Sequence, residues 1–171
     1  MKIWVRRCSA GFLIAFCVAY GSAQSVSTKS ESEYKLRVVG EVERSLNLGP
    51  ADIAELPRCS VPAKDHGAAE SVFEGVALVD VLQLAGVKFG DGLRGKSLAL
   101  YLVVEAADGY QAVFALPELD PAYTDKVVLL SDTRDGKKMD DKEGPLRIVV
   151  PGEKRQARWV RQVTVLTIKR A

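Results

Sequence analysis

Apolar and polar positions alternate with a period of two over residues 34–38, where Tyr34, Leu36 and Val38 oppose Lys35 and Arg37, and this predicts a half-buried strand. The segment "SLNLG" predicts a second short strand after a turn at residues 41–44. "PADIAEL" reads as a brief helix with Pro50 at its first position, where the missing N–H costs nothing. In "RCSVPAK" the side chains of Cys59, Val61 and Ala63 point one way and those of Arg58, Ser60 and Lys64 the other, and Pro62 marks an edge strand. After the loop "DHGAAES" and the short run "VFEGV", the apolar residues Leu78, Val81, Leu82 and Ala85 fall at i, i+3, i+4 and i+7. They predict a helix stopped by Gly86. "LALYLVVEAADGYQAVFAL" predicts two strands joined by a tight hairpin at Asp108-Gly109. "KVVLLSD" and "PLRIVVPG" are nearly all apolar, as strands buried on both faces are, and the charged "TRDGKKMDDKEG" between them, with its turn at Asp132, Arg134 and Asp135, is expected at the surface. "WVRQVTVLTIKR" predicts a last strand with Val163, Val165 and Leu166 for burial. The sum is an α+β domain over residues 34–171, mostly β with a few short helices.

The first 33 residues follow a different pattern. Lys2, Arg6 and Arg7 precede an apolar run from Cys8 to Tyr20, and Gly21-Ser22-Ala23 supplies a small-x-small cleavage site before Gln24. Residues 1–23 are therefore expected to be a signal peptide, since the run falls short of the roughly 20 residues of a membrane span. The Arg6-Arg7 pair leaves general or twin-arginine export open. Residues 24–33 are polar and read as a flexible lead-in. Cleavage changes the charge: three of the 24 Lys and Arg leave, so 21 basic residues face 22 acidic ones, and nothing in the balance suggests nucleic acid. Two of the three cysteines leave as well, so Cys59 has no intramolecular disulfide partner. The expected product is an exported, periplasmic protein with no membrane span after signal cleavage.

The order of four segments carries a resemblance. "GEVERSLNLGPADIAELPR", "FEGVALVDVLQLAGV", "VVEAADGYQAVFALPEL" and "GPLRIVVPGEKRQARWVRQVTVLTI", with Gly75, Gly86, Asp108-Gly109-Tyr110, Gly144-Pro145 and Trp159-Val160 in place, make residues 35–169 similar to the oxidoreductase molybdopterin-binding domain, the fold of the sulfite oxidase superfamily. The resemblance implies a sulfite-oxidase-type molybdopterin-binding fold. In active members a cysteine thiolate binds molybdenum at the end of the strand before the "EGV" segment, a position that falls within residues 63–67 here. No cysteine stands there. Cys59 lies four to eight residues earlier, roughly 13 to 27 Å away along an extended strand, and is expected to be a small buried hydrophobe.

The remaining candidates each carry two readings. His66, the only histidine, lies close to the vacant position and is either a substitute ligand or acid–base group, or a loop histidine with no spaced partner. The resemblance places phosphate contacts in "PGEKRQARWVR", where Arg158 and Arg161 have the planar fork suited to an anion; a solvated basic loop is the alternative. Asp108 and Tyr110 are turn residues that the resemblance sets near a cofactor cleft. Covalent haem and a glycine-rich phosphate loop are excluded, because neither Cys-x-x-Cys-His nor G-x-x-x-x-G-K occurs. The expectation is an exported domain lacking the metal-ligating cysteine, with no cofactor, acting as a non-catalytic module for a small anionic ligand or an exported partner protein. Two alternatives stand beside it: an active molybdopterin-dependent oxidoreductase passing electrons to an exported partner, and a structural subunit.

Overall fold

The computed structural model describes residues 34–66 and 69–171; the expected signal segment and lead-in lie outside the described residues. Two sheets form the domain. The first has the order β2-β1-β10-β5-β6, built from β1 (Leu36–Gly40), β2 (Leu46–Leu48), β5 (Leu100–Ala106), β6 (Gln111–Ala115) and β10 (Val163–Arg170). The second has the order β3-β4-β7-β8, from β3 (Arg58–Lys64), β4 (Glu70–Ala77), β7 (Leu129–Arg134) and β8 (Lys137–Lys138), with β9 (Arg147–Val149) also paired to β7. The helices are α1 (Pro50–Ala54) and α2 (Leu78–Leu84). β1 and β10 pair in parallel and close the first sheet around both ends of the described chain.

Period and packing agree along most of the chain. Leu36 and Val38 of β1, Leu102 and Val104 of β5, Phe114 of β6, and Leu166 and Ile168 of β10 are at most 1% exposed and share one face. Leu78, Val81, Leu82 and Ala85 are fully buried, so α2 presents the face its spacing implies, and Gly86 with φ +86° ends it. β3 alternates as expected and lies at its sheet's edge, where Pro62 removes no ladder hydrogen bond from an inner strand. Cys59 is half-buried rather than buried, packed against the core.

Three departures have local causes. A bulge between Val163 and Val165 shifts the register of β10, so Leu166 and Ile168 turn inward with Val163 while Val165 faces the other side. The two-residue hairpin turn lies at Asp135-Gly136, where both residues have positive φ; at Asp108-Gly109 only Gly109 does, and the loop has three residues. The run "PLRIVVPG" forms a strand of three residues, and its one charged side chain, Arg147, is fully buried.

Gly75 sits at a second bulge, between Glu74 and Gly75, where β4 meets β7. A Cβ there would overlap the Leu130 carbonyl oxygen and stand 2.7 Å from Ser131 Cα. Backbone on an inner strand cannot yield as a side-chain tip would. Gly75→Ala is expected to lower the unfolding free energy by about 2–3 kcal/mol, measured by urea denaturation.

Candidate functional site

A cleft of about 350 Å³ opens where the end of β3, the β5–β6 turn and the segment leading into β10 meet. His66 enters from the turn that follows β3, and Asp108 and Tyr110 from the β5–β6 turn. Gln156, Trp159, Arg161 and Gln162 enter from the stretch that includes a 3-10 helix at Gln156–Arg158, and Lys142 from the loop after β8. Four of the five residues singled out from the sequence thus come together. Arg158 does not line the cleft.

Protein–protein hydrogen bonds brace these walls. Tyr110 Oη donates to the Ala157 carbonyl at 2.6 Å, Gln156 Nε2 to the Lys64 carbonyl at 3.0 Å, and Gln162 Nε2 to the Asp141 carbonyl at 2.6 Å. The Ala107 amide donates to the Gln162 carbonyl at 2.9 Å. Asp108 accepts from the Tyr110 amide at 2.9 Å, which fixes the turn. His66 and Gln162 have φ of 43° and 49°, two of the three described non-glycine residues in that region, and both face the cleft. Such backbone costs about 1–3 kcal/mol per residue and persists where its surroundings hold it.

The basic residues divide into two kinds. Arg158 is committed: its guanidinium hydrogen-bonds Glu153 and Glu118 and lies 4.6 Å from the centroid of Phe114. Burial pushes its pKa down, but the two carboxylates outweigh that and hold it above the ordinary value. The phosphate role expected of Arg158 meets carboxylates already in place. Arg161 and Lys142 have no side-chain partner among the described residues and are exposed at the cleft. Sequence reasoning missed Lys142, which lies in a charged run without periodicity.

Behind the cleft lies an ion cluster that sequence reasoning also missed. Arg147 Nη1 is 2.9 Å from Asp65 Oδ2 and 2.8 Å from Glu143 Oε2. The Arg147 guanidinium carbon lies 5.7 Å from the Phe73 ring centroid and 5.3 Å from that of Trp159, and the two rings meet edge to face. Arg134 approaches Asp65 and Glu143 at 3.7 and 3.8 Å, so the turn expected to be wholly surface contributes a half-buried cation. A charge inside an apolar run such as "PLRIVV" is the signal that could have found this cluster.

The end of β3 does not fit a molybdenum-binding thiolate. Ala63, Lys64, Asp65 and His66 occupy it, Gly67 lies outside the described residues, and Cys59 is at the other end of the strand. Among the described residues no group of three or more His, Cys, Asp or Glu could hold a metal ion. None of their helices is long and apolar enough to cross a membrane.

The family model described as oxidoreductase molybdopterin binding domain matches residues 23–171. The fold is similar to the crystal structure of the sulfane dehydrogenase SoxCD from Paracoccus pantotrophus, with a TM-score of 0.61 and 24% identity over 79% of this chain. The chain spans 38% of that SoxCD chain. No curated protein sequence matches.

Burial raises the Asp65 pKa, but the Arg147 hydrogen bond and charge, with His66 and Arg134, outweigh it and hold the carboxyl below its ordinary value. Asp65 therefore contributes stability that is complete above the unfolded-state value of about 3.9 and is lost as pH falls through the lower folded value. Burial likewise raises the Asp132 pKa, but hydrogen bonds from Arg58 and Thr133 outweigh it and hold the carboxyl below its ordinary value, so Asp132 acts in the same direction. Denaturation curves are expected to show stability falling below about pH 4, with a shallower fall in Asp65→Asn. At neutral pH that variant should lose about 3 kcal/mol, because a buried arginine keeps only part of its counter-charge.

Proposed function

The chain belongs to the oxidoreductase molybdopterin-binding domain family, and from that membership we propose that it is an exported, non-catalytic member whose cleft binds a small anion. The observation that carries this reading is the pairing of the cations. Arg158 is neutralised by Glu118 and Glu153, while Arg161 and Lys142 stand unpaired beside His66 in one braced cleft. The cleft thus presents two free positive charges against the single carboxylate of Asp108 at its rim.

Arg161 can offer two parallel N–H donors to an oxyanion, and Lys142 a point charge. His66 can add a ring N–H donor. Tyr110, with its hydroxyl engaged by Ala157, presents its ring face to a planar group. These charges are exposed, so each contributes about 1 kcal/mol and the dissociation constant for a simple oxyanion should be about 10 mM. The family's cofactor is molybdopterin, but no reaction step is assigned through it, because the end of β3 offers no thiolate.

The single histidine gives the test a clean reporter, since one imidazole resonance belongs to one wall of the cleft. Titration with inorganic phosphate, followed by NMR, is expected to shift the His66 signal saturably, and Arg161→Ala should weaken the apparent affinity about fivefold. A His66 signal indifferent to phosphate would refute the anion site. The protein isolated from a host that makes molybdenum cofactor should begin at Gln24 and carry well under one molybdenum per ten chains, a rough figure resting on the missing ligand. An intact Met1 would refute export, and stoichiometric molybdenum would favour the active-oxidoreductase reading instead.

A further inference from the structure

Three exposed charges of opposite sign converge on one residue of the cleft. Gln162, whose φ of 49° lies in the left-handed region, donates through its amide to the Glu143 carbonyl at 3.2 Å and through Nε2 to the Asp141 carbonyl at 2.6 Å, so Lys142 stands between its two partners. The Gln162 carbonyl accepts from the Ala107 amide at 2.9 Å, next to Asp108, and Arg161 precedes Gln162 in the chain. Lys142, Asp108 and Arg161 line the same cleft and make no ion pair with one another or with any other described residue. One Asp108 oxygen accepts from the Tyr110 amide at 2.9 Å, and the other has no partner among the described residues. Left-handed backbone at a residue that gathers three unpaired charges is the kind of strain that collects at binding sites.

The signs decide what fits. Two cations attract an oxyanion, but Asp108 repels it, so the charges are not matched to a bare anion. A ligand that carries a cation beside its anion turns that repulsion into attraction. The neutral groups agree. Gln156 and Gln162 each spend a side-chain N–H on a brace, and their side-chain oxygens remain as acceptors, which an ammonium can use and an oxyanion cannot. At about 350 Å³ the cleft has room for far more than an oxyanion and falls at the low end of the range for small organic ligands. The rest of its wall includes the half-exposed Tyr110 ring and the apolar Ala106, Ala157 and Val160. We propose that the cleft takes a zwitterionic α-amino acid, with its carboxylate on Arg161 and Lys142, its ammonium on Asp108 and the glutamine oxygens, and its side chain along the Tyr110 ring. This rests on the reading of the cleft as an anion site and narrows it to one class of ligand.

Three ligands that share one ring separate the charges: L-phenylalanine, 3-phenylpropanoate, which lacks the ammonium, and phenethylamine, which lacks the carboxylate. With the processed chain at neutral pH, phenylalanine is expected to shift the His66 NMR signal saturably, with a dissociation constant about fivefold below that of 3-phenylpropanoate, the factor that one exposed charge contact supplies, and phenethylamine should bind most weakly. Asp108→Asn keeps an oxygen to accept from the Tyr110 amide and removes the charge. It should weaken phenylalanine about fivefold and tighten inorganic phosphate by up to about fivefold. A merely structural defect would move both ligands the same way. Phosphate that shifts His66 while phenylalanine binds no tighter than 3-phenylpropanoate would overturn the amino-acid assignment and leave the anion site standing. A His66 signal indifferent to phosphate and to all three ring compounds would remove both. An Asp108→Asn protein, folded by circular dichroism, in which phenylalanine and phosphate weaken together would also overturn the proposal.

Discussion

A guanidinium with no exposed surface is the constraint around which the second sheet and the cleft are arranged. Arg147 cannot lose its proton, and leaving its charge unpaired in the core would cost several kcal/mol. Its counter-charges must therefore converge from separate places: Asp65 from the end of β3, and Glu143 from the loop before β9. Phe73 and Trp159 wrap the rest of the guanidinium with ring faces. Pairing Asp65 to Arg147 fixes where β3 ends, and so where His66 points. Holding Trp159 against Arg147 fixes the wall from which Arg161 and Gln162 project. One buried charge thus sets the relative positions of two segments, 65–66 and 159–162, that are far apart in sequence.

The contrast between Arg158 and Arg161 shows why geometry, rather than residue type, decides which cations can bind. They are three residues apart in one basic stretch and look equivalent in composition. Arg158, at the end of a 3-10 helix, turns toward Phe114 and the carboxylates of Glu118 and Glu153, and its Nη1 also reaches the Val113 carbonyl at 3.3 Å on the edge strand β6. There it acts as a clamp, tying the 3-10 segment to the sheet and occupying an edge that would otherwise be open. With the segment held, Arg161 is left facing the cleft without a partner.

Much of this fold is legible in the sequence because local periodicity and tertiary burial agree. α2 and β3 are clear cases: the four apolar positions of the helix are all fully buried, and the alternation of β3, with Pro62 on an edge, survives intact. Legibility fails where one residue changes the period or where partners are distant. The bulge after Val163 inverts the sidedness of β10, which a strict period of two cannot foresee. The two Asp-Gly pairs read alike, yet the paired strands select a two-residue turn at one and a three-residue turn at the other. The ligands of Arg147 lie 4 and 82 positions away, and only the second requires the tertiary fold. Of the cleft, the residues next to turn and loop signals were visible. Lys142 and Gln162 were not: Lys142 lies in a charged run without periodicity, and Gln162 is placed by hydrogen bonds to the Asp141 and Glu143 carbonyls.

How the cleft is braced bears on what the fold requires of a ligand. Tyr110 to Ala157, Gln156 to Lys64 and Gln162 to Asp141 are all bonds between protein groups, and each spans from one wall or its support to another. None of them needs a cofactor oxygen or a metal to complete it. The two residues with strained backbone, His66 and Gln162, sit next to these braces and to the Arg147 cluster, which supply the rigidity that such backbone needs. A scaffold that holds its cleft open through its own hydrogen bonds can lose a metal-ligating sulfur without losing the shape of the site. Under the proposed anion-binding reading, specificity rests on charges that the fold leaves unpaired, so sequence change can retune it one cation at a time, through which arginines are clamped and which are left free.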